Sequence, residues 1–367
     1  MGDAKVNTFF ISEKISKVRW VPEQLRESER FLTGSWDMPK NFVRIWRLHR
    51  NQYDGSEYNE FVPRCSDKLA MNGDVTGIEF VTDETVIVSC SDGRISLLKI
   101  KKAVEEDVLQ REAHSEVLHS FKASGKNTSC TSISVYGKDV ATVGEDGRLN
   151  IVDTQAHLAV RRSIEADSCS LLSVLYVNPQ EVLTANRMGI IRMFDIRSSS
   201  DGTATSAFMT SCEDDKRCNY VSCLTSHPTQ PHIVLAGSEE GSITVWDLRN
   251  PGYPASYLSA HTSPITDIGF HRSDPSKLFT TAESGELWLW AQHPTMSGGV
   301  HRAMETSATT ATENTNPWLN GERAKNRISV TALMTDLRKA INSFDTQSSK
   351  IICGSDSEAI YFVDNIL

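Results

Sequence analysis

GSITVWD, residues 241–247, sets a turn glycine ahead of apolar residues at the second, fourth and fifth positions after it (Ile243, Val245, Trp246) and closes on a Trp-Asp pair. The phrase returns as NFVRIW (41–46), GRISLL (93–98), GRLNIV (147–152), GIIRMF (189–194), GELWLW (285–290) and EAIYFV (358–363). With 39% apolar residues in the chain, about eight of these 21 positions would be apolar by chance. All 21 are.

A β-branched or apolar run precedes each turn, as in Val86-Ile87-Val88, Ile233-Val234-Leu235 and Ile351-Ile352-Cys353. A third run with alternating character lies before that, for example Ile15/Val18/Trp20, Val75/Ile78/Phe80, Ile265/Ile268/Phe270 and Ile328/Val330/Leu333. Each unit therefore reads strand, turn, strand, tight turn, strand. The tight turns carry Gly93, Gly147, Gly189, Gly241 and Gly285, where glycine permits the positive φ that a short hairpin needs. The shortest spacings, 42 residues from 152 to 194 and 44 from 246 to 290, match a WD repeat of about 40 to 45 residues. The longest, from 290 to 363, spans 73 and implies an insertion.

These units predict an all-β chain, a single seven-bladed WD40 β-propeller over 1–367, with blades at 15–48, 75–100, 130–154, 171–197, 221–249, 265–292 and 328–367. The connecting stretches supply an outer fourth strand to each blade. A ring of sheets must join its first and last members or leave an exposed edge. The segment 6–11 (VNTFFI) is expected to close it as the outer strand of blade 7.

Outside the repeats, 293–327 reads as an inserted flexible loop, too polar to bury over Glu305 to Asn316. Within it, Trp318-Leu319 is a candidate apolar anchor for a partner. Residues 101–129 and 198–220 are lesser insertions, and a short helix is expected within 104–121. In blade 6, His261, Thr280 and Trp290 fill three of the four places of the His-Ser/Thr-Trp-Asp network of WD repeats, while Ser284 and Ala291 stand at the acidic places. Together with Trp246 and Asp247 they are expected to be structural, since a buried imidazole and indole N–H need partners.

Composition narrows the function. The balance of 38 Lys+Arg against 47 Asp+Glu gives a net charge of −9, which opposes nucleic acid as a partner. No apolar run approaches the roughly 18 residues of a membrane span, and no N-terminal apolar leader stands out, so a soluble, unsecreted protein is expected. The eight cysteines form no CxxC pair, which fits a reducing compartment. Cys212, Cys218 and Cys223 lack the His pair of a zinc site. No GxSxG, HExxH or Walker A pattern occurs, so no catalytic residue, metal, cofactor or small-molecule substrate is expected.

FLTGSWD (31–37), ATVGEDGRLN (141–150), EVLTANRMGIIRMFDIR (181–197) and IICGSDSEAIYFV (351–363) resemble the WD-repeat nucleoporins of about forty-three kilodaltons. The similarity runs from first blade to last, including an INSFD insert (341–345) in the final unit. It implies a non-catalytic scaffold of the Y-shaped outer-ring complex of the nuclear pore, docked on the α-solenoid nucleoporins of its short arm. Such proteins support pore assembly and transport of protein and mRNA at the nuclear envelope, and in animals the complex visits kinetochores in mitosis. A second reading rests on FDIR (194–197) and WDLR (246–249), which resemble the boxes of propellers serving as substrate receptors for cullin-RING ubiquitin ligases. There Arg197 and Arg249 would project to the adaptor; the plainer role for both is a salt bridge within the blade.

Overall fold

The computed structural model describes residues 5–24, 27–51, 60–102, 106–198, 202–209, 219–293, 316–335 and 337–366. Their strands form seven four-stranded antiparallel sheets. Strand β1 is Lys5–Phe10. Blade 1 comprises Ile15–Trp20, Arg30–Ser35, Asn41–Asn51 and Glu60–Met71 (β2 to β5), and blade 2 comprises Val75–Thr82, Thr85–Cys90, Ile95–Lys101 and Val108–His114 (β6 to β9). Blade 3 is Cys130–Tyr136, Asp139–Gly144, Arg148–Asp153 and Ala159–Glu165 (β10 to β13). Blade 4 is Leu171–Asn178, Glu181–Asn186, Ile190–Asp195 and Ser206–Met209 (β14 to β17). Blade 5 is Val221–His227, Gln230–Ser238, Ser242–Asp247 and Ser256–Ser259 (β18 to β21). Blade 6 is Ile265–Phe270, Lys277–Ala282, Leu287–Gln292 and Ile328–Met334 (β22 to β25). Blade 7 is Ile341–Gln347, Lys350–Ser355 and Ala359–Asp364 (β26 to β28), and β1 is its fourth strand.

The first strand of every blade touches the first strands of both neighbours, closing a ring around a central channel. The middle strands are covered by neighbouring blades on both faces, and β11, β15, β23 and β27 are buried at every residue after the first. That is why the repeated phrase is so strongly apolar. Of its 21 positions, 20 are buried, and the half-buried Met193 packs beside the core between blades 4 and 5. The outer strands meet solvent on one side, as the mostly exposed β1 and β13 show.

Ring closure is explicit. Strand β1 pairs antiparallel with β28 from Lys5 opposite Asp364 to Phe10 opposite Ala359. The Ile11 amide extends the ladder to the Glu358 carbonyl at 2.9 Å. Phe9 packs edge-on against Phe362, with ring centroids 5.6 Å apart. Strand β27 also approaches blade 1 so closely that a Cβ on Gly354 would lie 2.3 Å from Ile15 Cγ2. At the β27–β28 turn the left-handed backbone falls on Glu358 (φ 58°), where five other blades use glycine.

Three expectations are corrected. Ile328–Met334 is the outer strand of blade 6, paired with β24 from Leu287 opposite Met334 to Gln292 opposite Ile328, and not the first strand of blade 7. Its apolar alternation suits a rim strand equally well, since either kind buries one face; the partly exposed pattern of β25 identifies the rim. INSFD is accordingly no insert but the start of β26, the inner strand of blade 7. The stretch 104–121 holds strand β9, not a helix, because its partner β8 supplies a ladder from Ser96 to Lys101.

The insertion 293–327 is not wholly a loop either. Residues 294–315 lie outside the described residues, but Pro317–Leu319 forms a 3-10 turn and Gly321–Arg327 a short helix, α1. The side chain of Asn316 caps the turn and that of Asn320 caps α1, accepting from the amides of Trp318 and Arg323 at 3.0 Å each; such caps satisfy amides the first turn leaves open.

Candidate interaction surfaces

Because consecutive strands alternate in direction, the turns divide between two faces. The first-to-second and third-to-fourth strand turns lie on one face, and the second-to-third turns and blade connections on the other. Between them runs the channel, with a cavity of about 290 Å³ lined by inner-strand residues that include Lys17, Arg19, Glu79 and Asp267. Arg19 pairs with Glu79 at 2.9 Å. Burial works against its charge, yet Glu79, Asp267 and Asp345 together hold the guanidinium above its ordinary basicity.

Among the described residues, no three His, Cys, Asp or Glu side chains converge so as to hold a metal ion. Cys212 and Cys218 lie outside the described residues. Burial pushes the Cys223 thiol up to about 12, and that of Cys90 likewise to about 12, which disfavours the thiolate needed for nucleophilic chemistry or metal binding.

The polar network of blade 6 is complete. His261 Nε2 and Trp290 Nε1 lie 2.8 and 3.0 Å from Thr280 Oγ1, and His261 Nδ1 lies 2.9 Å from Glu286 Oε2. The polarity follows from the fixed donors: the indole donates to Thr280, whose hydroxyl donates to Nε2, leaving Nδ1–H to donate to the carboxylate. The acid is therefore Glu286, which replaces the missing acidic places at 284 and 291. Trp246 and Asp247 stand apart from this network, correcting their inclusion in it. Ala236 occupies in blade 5 the register place of Thr280, so the buried Trp246 Nε1 has no hydrogen-bond partner in the structure. A second network escaped the repeat pattern: His119 meets Thr142 and Asp146 in blade 3 at 2.9 Å each, with Val152 in place of the tryptophan.

Burial holds His261 below its ordinary pKa, with Glu286 opposing, and burial also lowers His227 and His271. A lowered folded-state value means the unfolded chain binds the proton more tightly. The stabilisation is present above the unfolded value of about 6.5 and is lost as pH falls through the folded values. Tm is expected to drop by a few degrees between pH 7.5 and 5.5, and His261→Gln to flatten part of that slope; parallel melting curves at both pH values would contradict this.

Arg197 and Arg249 follow the third strands of blades 4 and 5 on the same face. Each is gripped by the aspartate two residues before it: Arg197 Nη2 and Nε reach Asp195 at 2.7 and 3.1 Å, and Arg249 Nη2 and Nε reach Asp247 at 2.6 and 2.9 Å. The clamp, reinforced by the Arg197 amide on the carboxylate, holds Asp195 down at about 2. Both guanidiniums remain more than half exposed. On the same side of blade 5, Tyr253 is 86% exposed and Tyr257 54%, residue types common at protein interfaces.

Trp318 is no surface anchor. It is fully buried, edge-on to Phe270 with centroids 6.0 Å apart, and its carbonyl accepts from Ser256 Oγ at 2.6 Å. Leu319 packs half-buried against the same core. Also absent from the sequence reading is Asp107, fully buried between Arg30 and Arg47 at 3.3 and 2.8 Å. It joins the start of the outer strand of blade 2 to blade 1. Only the invariably charged partners nearby explain such a carboxylate, and these are distant in sequence.

The family model described as WD domain, G-beta repeat, matches residues 64–97 and 209–247. Each match begins in or at the end of an outer strand and continues through the next blade, so a sequence repeat and a blade are offset by one strand. The chain is 30% identical over 373 residues to the protein Nucleoporin Nup43 of Homo sapiens, covering 96% of both chains. It has the same identity and coverage with Nucleoporin Nup43 of Mus musculus. Nuclear pore complex protein NUP43 of Arabidopsis thaliana is 26% identical over 262 residues, covering 66% of this chain and 69% of that one.

Proposed function

From the premise that this chain belongs to the Nup43 family of WD-repeat nucleoporins, we propose that it is a non-catalytic scaffold subunit of the Y-shaped outer-ring complex, docked on α-solenoid nucleoporins of the short arm. In that place it supports pore assembly and nucleocytoplasmic transport of protein and mRNA, and it accompanies the complex to kinetochores in mitosis. The observation that carries the reading is similarity over 96% of both chains, which spans every blade rather than one shared repeat. The physical form agrees: a closed ring offers rigid faces and a rim, and large surfaces rather than a reactive pocket serve a scaffold.

Cross-linking mass spectrometry on the assembled complex tests it. Cross-links from exposed lysines of this chain to short-arm α-solenoid subunits are expected. Cross-links that avoid every outer-ring nucleoporin would end the proposal. The ligase-receptor reading gains no specific support, since Asp195 and Asp247 already occupy Arg197 and Arg249.

A further inference from the structure

Four ion pairs stand on the face that carries the first-to-second and third-to-fourth strand turns, spread over three consecutive blades. In blade 3 Lys138 pairs with Asp153 at 3.2 Å and Arg161 with Asp139 at 2.6 Å, and the clamped Arg197 and Arg249 follow in blades 4 and 5. In every pair the cation is the outer partner. The side chains of Lys138, Arg161, Arg197 and Arg249 are 51, 50, 62 and 51% exposed, whereas their carboxylates are 11, 20, 22 and 15% exposed. Glu181, which also acts on Arg197, is half-buried and accepts from Asn178 Nδ2 at 2.5 Å. Blade 6 marks the boundary: Arg272 is more exposed than Asp345, but Asp274 is more exposed than Lys277. Beyond it the order is reversed, with Glu27 of blade 1 more exposed than Lys350 of blade 7. Blades 3 to 5 therefore turn the positive end of each pair to solvent.

Two tyrosines share this face. Tyr136 ends β10 of blade 3, 46% exposed, with its ring tilted on that of the buried Tyr176 at 5.9 Å. The still more exposed Tyr253 projects from the third-to-fourth turn of blade 5, within Pro251-Gly252-Tyr253-Pro254. That turn is closed by the Asn250 amide on the Asp247 carbonyl at 2.9 Å and the Ala255 amide on Val245 at 2.8 Å, and its two prolines have φ fixed by their rings. The arginines are held as well. Each aspartate grips Nε and Nη2, which leaves Nη1 outside the clamp. Exposed tyrosine and arginine are the side chains that most often anchor interfaces, and holding them in place beforehand lowers the entropy lost on binding.

We propose that the face of blades 3 to 5 bearing Tyr136, Lys138, Arg161, Arg197, Arg249 and Tyr253 is a docking surface for a short acidic segment of a protein partner. Resting on the scaffold reading above, that partner is an α-solenoid nucleoporin of the short arm. The row of outward cations favours an acidic surface by charge complementarity, and the recessed aspartates fix where each cation stands before the partner arrives. A long polyanion would meet the chain's net charge of −9, which opposes it; a short acidic segment meets the row alone.

The affinity of the full chain for a reconstituted outer-ring complex lacking this subunit tests the surface. Tyr253→Ala is expected to weaken binding about thirtyfold, the size of an interface hot spot. Arg197→Glu combined with Arg249→Glu should weaken it at least as much and remove most of its salt dependence. Lys122→Glu, on the opposite face and equally exposed to solvent, should bind as the wild type does. Tyr253 stands in an exposed turn, so its variant keeps the test decisive even if the charge reversals disturb folding. Wild-type affinity in Tyr253→Ala, or in a folded arginine variant, would overturn this surface and leave the scaffold reading standing. A wild-type chain that fails to bind the complex would overturn both. Binding of the wild type, but not of the arginine variant, to duplex DNA or phosphatidylserine vesicles in place of the complex would make the row a polyanion site and would likewise overturn the proposal.

Discussion

Replacing Trp318 by alanine is expected to cost about 3 to 5 kcal/mol of folding stability, read as a lower midpoint in urea at unchanged slope. The indole is fully buried among Phe270, Leu258 and Ile328 beneath the outer strands of blades 5 and 6. Alanine would leave a cavity that the flanking strands, held by their own ladders, cannot fill. Trp318→Phe keeps the ring contact and loses an indole N–H that has no partner in the structure, so it should cost less than about 1.5 kcal/mol. The pair separates packing from recognition. An alanine variant with a wild-type midpoint would mean that the side chain is not a core element, and would restore its role as a partner anchor.

Deleting residues 1–12 is expected to lower Tm by about 5 °C or more and to produce concentration-dependent aggregation. The deletion removes β1 and bares the β28 edge over six residue pairs, and an unpaired edge is a template for other chains. It also removes Phe9 from the aromatic cluster formed by Phe362, Phe31 and Trp20, and Glu13 loses the chain that leads into it before pairing with Arg44. A synthetic peptide covering residues 5–11, added in trans, should recover part of the loss by pairing with the same edge. A truncated chain with an unchanged melting curve would show that β1 contributes nothing to closure.

The blade count was legible because the middle strands carry it. Val86-Ile87-Val88 and GRISLL are covered on both faces, so every position is under pressure to be apolar, and the pattern persists through all seven copies. The outer strands are not legible in this way. Val108–His114 reads as a possible helix and Ile328–Met334 as an inner strand, because one buried face leaves a pattern that several placements satisfy equally well.

The candidate surface residues divide along the same line. The aspartate clamps on Arg197 and Arg249 lie two residues away and could be read from the chain, whereas the burial of Trp318 could not. Its polar surroundings in 305–316 suggest solvent, and much of its apolar environment comes from distant strands, through Leu258 and Phe270 of blades 5 and 6. Glu286 and Asp107 were missed for a related reason: a carboxylate's partner is set by proximity in space, and nothing in the local sequence marks it.

By itself, then, the sequence determined that seven β units recur, that each carries two covered strands about a tight turn, and that VNTFFI can join the last. Repetition of a covered strand leaves a local imprint that needs no partner to be recognised. The tertiary structure alone decided which blade owns Ile328–Met334, which acid completes the His261 network and where Trp318 goes. Each of those depends on a pairing between distant segments, and such a pairing is fixed by the closure of the ring rather than by the residues beside it.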